Sequence, residues 1–256
     1  AGAVPLKIPH ADMQRWHHRS MFVHLRLHTE FSVVDGTTRI DDVVGAAAAD
    51  GQPALAVTDL HNLFGGLKFY KAARGAGVKP VLGAEVALQG FTEEPLLGAG
   101  NPAAQQPMPR VLLLVQDHQG YLNLCELLAR AWTTNVVREQ PLVKREWLQE
   151  LGAGLILLSG AHAGPVGQAL LVGDGARAAD AALQLAGLFP HRFYIELQRA
   201  GRADDERHVM AAVKLAARLR LPVVATHPVQ FLAADDYEAH EARVCIAEGE
   251  ILGNAR

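Results

Sequence analysis

Short apolar runs alternate along the chain with stretches whose apolar residues recur at helical spacing. The runs cover 22–28 (FVHLRLH), 54–58 (ALAVT), 78–87 (VKPVLGAEVA), 111–115 (VLLLV), 154–159 (GLILLS), 192–197 (RFYIEL) and 222–226 (PVVAT). Most are nearly continuously apolar, as strands covered on both faces are. Helices are predicted between them over 40–50, 67–76, 120–132, 178–188 and 204–218. In the last of these Val209, Ala212, Val213 and Ala216 mark one helical face. Gly51 and Gly77 follow the first two helices as stop signals, and Pro222 lies just beyond the last.

Strand–helix alternation of this kind predicts an α/β fold of parallel βαβ units. Periodicity alone leaves a barrel and a doubly wound sheet equally open. One segment interrupts the rhythm: 90–109 (GFTEEPLLGAGNPAAQQPMP) is rich in Gly, Pro, Ala and Gln and reads as a flexible loop. Residues 1–20 lack clear periodicity and read as a leader or upstream extension outside the main domain, 21–250. A further helix is predicted over 235–248. Residues 251–256 follow with no natural stop and read as the start of a link to a downstream region.

Composition narrows this picture. At 256 residues, half of them hydrophobic, the chain can bury one substantial core and has the size of a single α/β barrel. A net charge of −3 argues against a dedicated nucleic-acid module, which usually carries a basic stripe. The two cysteines, Cys125 and Cys245, lie in predicted helices and read as buried free thiols of a reducing, cytoplasmic protein. No apolar run is long enough to span a membrane, and no signal peptide is visible.

The segments FVHLRLHTEFSVVDG and ALAVTDLHNLFGGLKFYKAARGAGVKPVLGAEV are followed in order by QGYLNL, GLILLSG, RFYIELQRAGR, LPVVAT and AHEARVCIAEG. This ordered set, spanning about residues 22–250, resembles the N-terminal PHP domain (polymerase and histidinol phosphatase domain) of bacterial DNA polymerase III alpha subunits. The resemblance implies a distorted seven-stranded (β/α)7 barrel of TIM-like type. Intact members hold a cluster of divalent Zn, Mn or Fe at the strand ends, and the metals activate water for phosphoester hydrolysis.

Carried over residue by residue, that ligand set is largely lost here. His28, Asp35 and Glu85 survive at matching positions. The remaining positions hold Arg26, Leu60, Arg110, Ala161, Pro228 and Gln230. Each metal needs several protein ligands, so the resemblance implies no metal in this domain. His61, His162 and His227 each stand one residue from a lost position and are the candidate substitutes. A one-residue shift within regular strand turns a side chain to the opposite face, which argues against them. Arg26 and Arg110 suggest another solution, in which guanidinium groups compensate Asp35, Asp59 or Glu85, acids too costly to bury unpaired. The other histidines and charged residues read as structural or solvated: His24 in the first strand, His240 on the last helix, and the stretch 199–207.

The resemblance further implies that the parent protein is a DNA-directed DNA polymerase whose Mg-dependent palm domain lies downstream. This domain would be its catalytically inactive platform and the docking site of a proofreading exonuclease subunit, meeting DNA only through the full-length polymerase. The alternative is an active metal-dependent phosphoesterase or 3′–5′ exonuclease of the same fold. A free-standing nucleic-acid-binding module is a third reading, disfavoured by the near-neutral charge.

Overall fold

A computed structural model describes residues 22–91 and 108–252. The expected leader, most of the 90–109 loop and residues 253–256 lie outside the described residues. In chain order the elements are α1 (Ile40–Ala49), β1 (Ala54–Val57), α2 (Gly66–Gly75), β2 (Lys79–Gln89), β3 (Arg110–Val115) and α3 (His118–Thr134). They continue with β4 (Val136–Val137), β5 (Gln140–Lys144), α4 (Arg145–Leu151), β6 (Leu155–Leu158), α5 (Pro165–Leu171) and α6 (Gly175–Leu188). The last are β7 (Phe193–Gln198), α7 (Asp205–Leu219), β8 (Val223–Thr226) and α8 (Tyr237–Glu248).

Local chemistry sets several of these boundaries. The Asp117 carboxylate accepts a hydrogen bond from the Gly120 N–H at 2.9 Å and starts α3, whose Leu124, Leu127, Leu128 and Ala131 then form one buried face. Asp174 caps α6 the same way, through the Arg177 N–H. The buried face of α7 runs through His208, Ala212, Leu215 and Ala216, while Val213, expected on that face, is exposed. Cys245 is buried as expected, but Cys125 is only partly covered.

The strands form one mixed sheet in the order β4-β5-β2-β3-β6-β7-β8, with β1 paired to β2. The expectation of purely parallel βαβ units is corrected here. β3 runs antiparallel to both β2 and β6, whereas β1–β2, β2–β5, β6–β7 and β7–β8 are parallel. β2 and β3 are consecutive in the chain and adjacent in the sheet, an arrangement that an antiparallel pair reaches by a simple reversal and a parallel pair only by a longer crossover.

The first apolar run, 22–28, is also not a regular strand. It makes isolated parallel bridges, His24 to Leu55 of β1 and Leu27 to Val229 beyond β8. Thr58 takes part of the ladder chemistry. Its hydroxyl accepts from the Leu27 N–H at 2.9 Å and donates to the Leu27 carbonyl at 3.2 Å. On the other side the His28 N–H donates to the Val229 carbonyl at 2.9 Å. The segment thereby links the two ends of the strand series.

Alternate residues of β3 face different cores. Val111 and Leu113 pack with α3 and α6, while Leu112 and Leu114 join Ala56 and Leu158 on the other face. A separate cluster joins Leu27, Ile40, Val44, Leu55, Val57 and Phe69 beneath α1 and α2. Glu85 stands directly opposite Leu112 in the β2–β3 register, so it shares the inner face.

Candidate functional site

Charged and polar side chains gather where that inner face ends. Arg26 is buried between two carboxylates. Its Nη1 donates to Glu85 Oε2, its Nε to Glu196 Oε1 at 3.1 Å, and its Nη2 to Glu196 Oε2 at 3.3 Å. The paired contacts to Glu196 are the fork geometry that a guanidinium offers a carboxylate. Glu196, on β7, has no solvent exposure. It also accepts from the Thr226 hydroxyl at 2.5 Å, the Gln198 amide at 3.1 Å and the Gly160 N–H at 3.1 Å. Gly160 sits at φ +81°, and a Cβ there would lie 1.8 Å from the Arg110 carbonyl oxygen, so glycine alone lets this N–H approach.

His28 continues the network. Its Nδ1 lies 2.9 Å from Asp35 Oδ2, and its Nε2 lies 3.1 Å from Glu85 Oε2. Both ring nitrogens therefore face carboxylates, which a protonated ring serves by donating from each. Burial pushes the imidazole down, but the Asp35 charge and hydrogen bond, with help from Glu85, outweigh it and raise the pKa to about 9. For Glu85, burial pushes upward, and the charges of Arg26, His28 and Arg110 hold it well below the usual carboxylate range. Asp35 is likewise lowered, since His28 and the Ser32 hydroxyl (2.7 Å) outweigh its burial, and Gln230 Nε2 donates to it at 3.0 Å.

Asp59 stands apart. It accepts from the Thr29 N–H at 2.6 Å and the Thr29 hydroxyl at 2.9 Å. Burial raises its pKa, with the Thr29 contacts opposing. Arginine pairing thus runs through Glu85 and Glu196 and does not reach Asp59. Arg110, at the start of β3, reaches Glu85 Oε1 at 3.6 Å, with its side chain 37% exposed.

Of the positions singled out from sequence, Arg26, His28, Asp35, Glu85 and Gln230 meet in this network. Arg110 and Pro228 line the cavity above it. Leu60 contributes its backbone, bridging to Glu85. Ala161 is buried in a short 3-10 turn at φ +46°. The three substitute histidines do not converge. His61 is buried, its N–H donates to the Glu85 carbonyl at 2.8 Å, and its own carbonyl accepts from Trp132 Nε1 at 2.8 Å. Burial, then Arg110, lowers its pKa to about 4. His162 lines the cavity, with Nδ1 3.0 Å from Arg202 Nη1, and burial, then Arg202, lowers it to about 4. His227 is exposed and lies edge-on to His24, with ring centroids 6.4 Å apart.

Sequence reasoning missed Glu196, Thr226, Gln198 and Arg202. The signal for the first was a single acid inside the apolar run RFYIEL, where an unpaired carboxylate would be prohibitively costly.

The donor set does not fit a divalent cation. A metal needs a neutral imidazole with a free nitrogen and carboxylates with open lone pairs. Here both His28 nitrogens are engaged, and the Arg26 guanidinium already supplies positive charge to Glu85 and Glu196. Among the described residues no three His, Cys, Asp or Glu side chains form a metal-holding group.

Comparison with known proteins places this arrangement in context. The PHP domain family matches residues 24–200. The chain is 45% identical over 235 residues to the DNA polymerase III subunit alpha of Pseudomonas aeruginosa, covering 92% of this chain and 19% of that protein. It is 41% identical, with the same coverage, to the DNA polymerase III subunit alpha of Escherichia coli K12. The chain thus spans about a fifth of the length of these relatives. A crystal structure from Bifidobacterium adolescentis, assigned as a metal-dependent phosphoesterase, superposes with a TM-score of 0.53 at 12% identity, covering 88% of this chain and 96% of the other. At that identity the likeness concerns the fold alone.

Proposed function

The chain belongs to the PHP domain family, and on that premise we propose that it serves as the N-terminal PHP domain of a replicative DNA polymerase alpha subunit. In this reading the barrel mouth is held by an ion-pair network in place of a catalytic metal cluster. The observation that carries it is Arg26, buried between Glu85 and Glu196 at the position where the family resemblance places a histidine ligand. Substituting a guanidinium for a ligand keeps the buried carboxylates neutralised and gives up the Lewis acid.

The domain then acts as a rigid platform, and polymerisation belongs to a Mg-dependent palm region elsewhere in the full-length protein. The same proposal includes docking of a proofreading exonuclease subunit and a cytoplasmic setting, both carried over from the family resemblance. No helix among the described residues is long and apolar enough to cross a membrane.

The experiment that tests this reading is elemental analysis of the chain purified without chelator and again after incubation with Zn²⁺ or Mn²⁺. A small fraction of one metal per chain in both samples is expected, together with no phosphoesterase turnover. Two or three equivalents would overturn the reading and bring His61, His162 and His227 back as ligands.

A further inference from the structure

A second concavity lies at the opposite strand ends from the mouth. Gly160 follows β6 and Gln198 ends β7 at the mouth, whereas Gly152 precedes β6 and Arg192 precedes β7. There α4 and α6 leave between them a groove of about 580 Å³, whose lining includes Arg145, Gln149, Leu183, Leu188, Pro190 and Arg192. Leu183 is 52% exposed, an uncovered apolar side chain in the groove wall.

Both guanidiniums are held in place beforehand, and neither by a carboxylate. Arg192 Nη1 donates to the Gly152 carbonyl at 2.7 Å and to the Leu155 carbonyl at 2.5 Å, and the group lies over the Phe189 ring at 5.7 Å. Its Nε and Nη2 donors stay available. Arg145 lies over the Phe91 ring at 5.8 Å. Carbonyls and ring faces orient a cation without cancelling its charge. Among the described residues neither arginine enters an ion pair. The Glu150 carboxylate, which also lines the groove, is taken by Arg130 through two bonds of 2.7 and 2.9 Å.

The spacing of the two cations selects the occupant. Arg145 opens α4, and the Arg192 guanidinium sits on the Gly152 carbonyl just past its end, so a rise of 1.5 Å per residue sets the two ~10 Å apart along the helix axis. Both walls are helices, which offer no unpaired strand edge for β-addition. A polyproline-type segment rises ~3.1 Å per residue with three residues per turn, so acids three positions apart share a face at ~9 Å. No shorter regular segment reaches both arginines, and the residues between its acids fall against Leu183 and Leu188.

We propose that this groove docks an extended, acidic and apolar peptide segment of a protein partner, with carboxylates three positions apart on Arg145 and Arg192. The proposal does not depend on what the mouth holds, and metal content tests that reading separately.

The test is an NMR titration of the ¹⁵N-labelled full chain with the peptide Ac-Glu-Pro-Leu-Glu-Pro-Leu-NH2, and with its isomer Ac-Glu-Glu-Pro-Leu-Pro-Leu-NH2, which has the same charge and the wrong spacing. Saturable shifts of the Gln149, Ala153, Gln184 and Gly187 amides are expected with the first peptide. Binding should weaken about fivefold for the isomer and about fivefold on Arg145→Gln, the upper end for an exposed ion pair. If the spectrum of Arg145→Gln shows a disturbed fold, the exposed Leu183→Glu takes its place, with the same direction of effect. Absence of saturable shifts, equal affinity for the two isomers, or shifts confined to Arg110 and His162 at the mouth overturns the site. Tighter binding of hexathymidylate to the same groove amides would assign it to nucleic acid and overturn the peptide proposal as well.

Discussion

At the scale of single residues, Arg26 neutralises two buried carboxylates at once, so its removal costs more than its own contacts. Glu85 and Glu196 would keep their desolvation without the compensating charge. Breaking a buried pair from one side typically costs ~3–5 kcal/mol. Arg26→Ala is expected to lose stability in that range in urea unfolding; a loss below about 1 kcal/mol would mean that water already reaches the two acids. His28 predicts a pH dependence. Its folded pKa of about 9 lies above the ordinary 6.5, so the folded chain holds the proton more tightly. The contribution is complete below pH 6.5 and is lost as pH rises toward 9, at most ~1.4 kcal/mol per unit. On the acid side, His61 and His162 lie below 6.5, at about 4, so the unfolded chain takes up protons first and stability falls as pH drops from 6.5 toward 4. The lowered pKa values of Asp35 and Glu85 add to that loss further down. Unfolding midpoints measured from pH 4 to 9 should therefore peak near 6.5. His28→Gln should flatten the alkaline limb while leaving the acid limb.

At the scale of elements, helix periodicity was the most legible signal. The six helices read from sequence occur within a few residues of their expected bounds; the first five bury a clear apolar face, while in α8 His240 and Cys245 alone are buried among the described side chains. The direction of β3 was not legible, since an apolar run such as VLLLV looks the same in either orientation. The pairing β4–β5 was hidden because Val136 and Val137 are exposed and the hairpin carries no long alternation. At the site, His28, Asp35, Glu85 and Arg26 were readable through family motifs. Glu196 has no motif and becomes significant only once β7 lies beside the mouth. The turn after β6 shows how backbone shape serves that acid: the Gly160 N–H reaches Glu196 only because no Cβ blocks the Arg110 carbonyl. Gly160→Ala is expected to cost at least ~2 kcal/mol, combining left-handed strain with a lost hydrogen bond to a buried charge. Thermal melts would reveal it, and a melting temperature within about 1–2 °C of the parent would show that the turn simply re-forms.

At the scale of the whole molecule, the ion pairs connect parts that share little apolar core. The larger core joins α3, α6 and α7 to β2, β3, β6 and β7, while α1, α2, β1 and Leu27 form a second cluster. The first chain segment joins β1 to the stretch beyond β8 by isolated bridges, without a ladder. Arg26 and His28 belong to that segment, and their partners lie on β2, on β7 and in the 32–36 turn. The network is therefore a clamp across the weakest seam of the strand series. Local stability in proteins varies by cooperative unit, and a unit tied mainly by a few polar contacts opens first when those are cut. Hydrogen exchange on Arg26→Ala should accordingly show faster exchange of the Ala56, Thr58, His28 and Val229 amides, which bridge the seam. The amides of β3 and β6, buried in ladder on both sides, should keep protection set by global unfolding. Uniform acceleration across both sets would instead mean that the clamp and the larger core unfold as one unit. Fusion of the two clusters into one cooperative body would then have to come from α3, whose Trp132 reaches the His61 carbonyl across the same boundary.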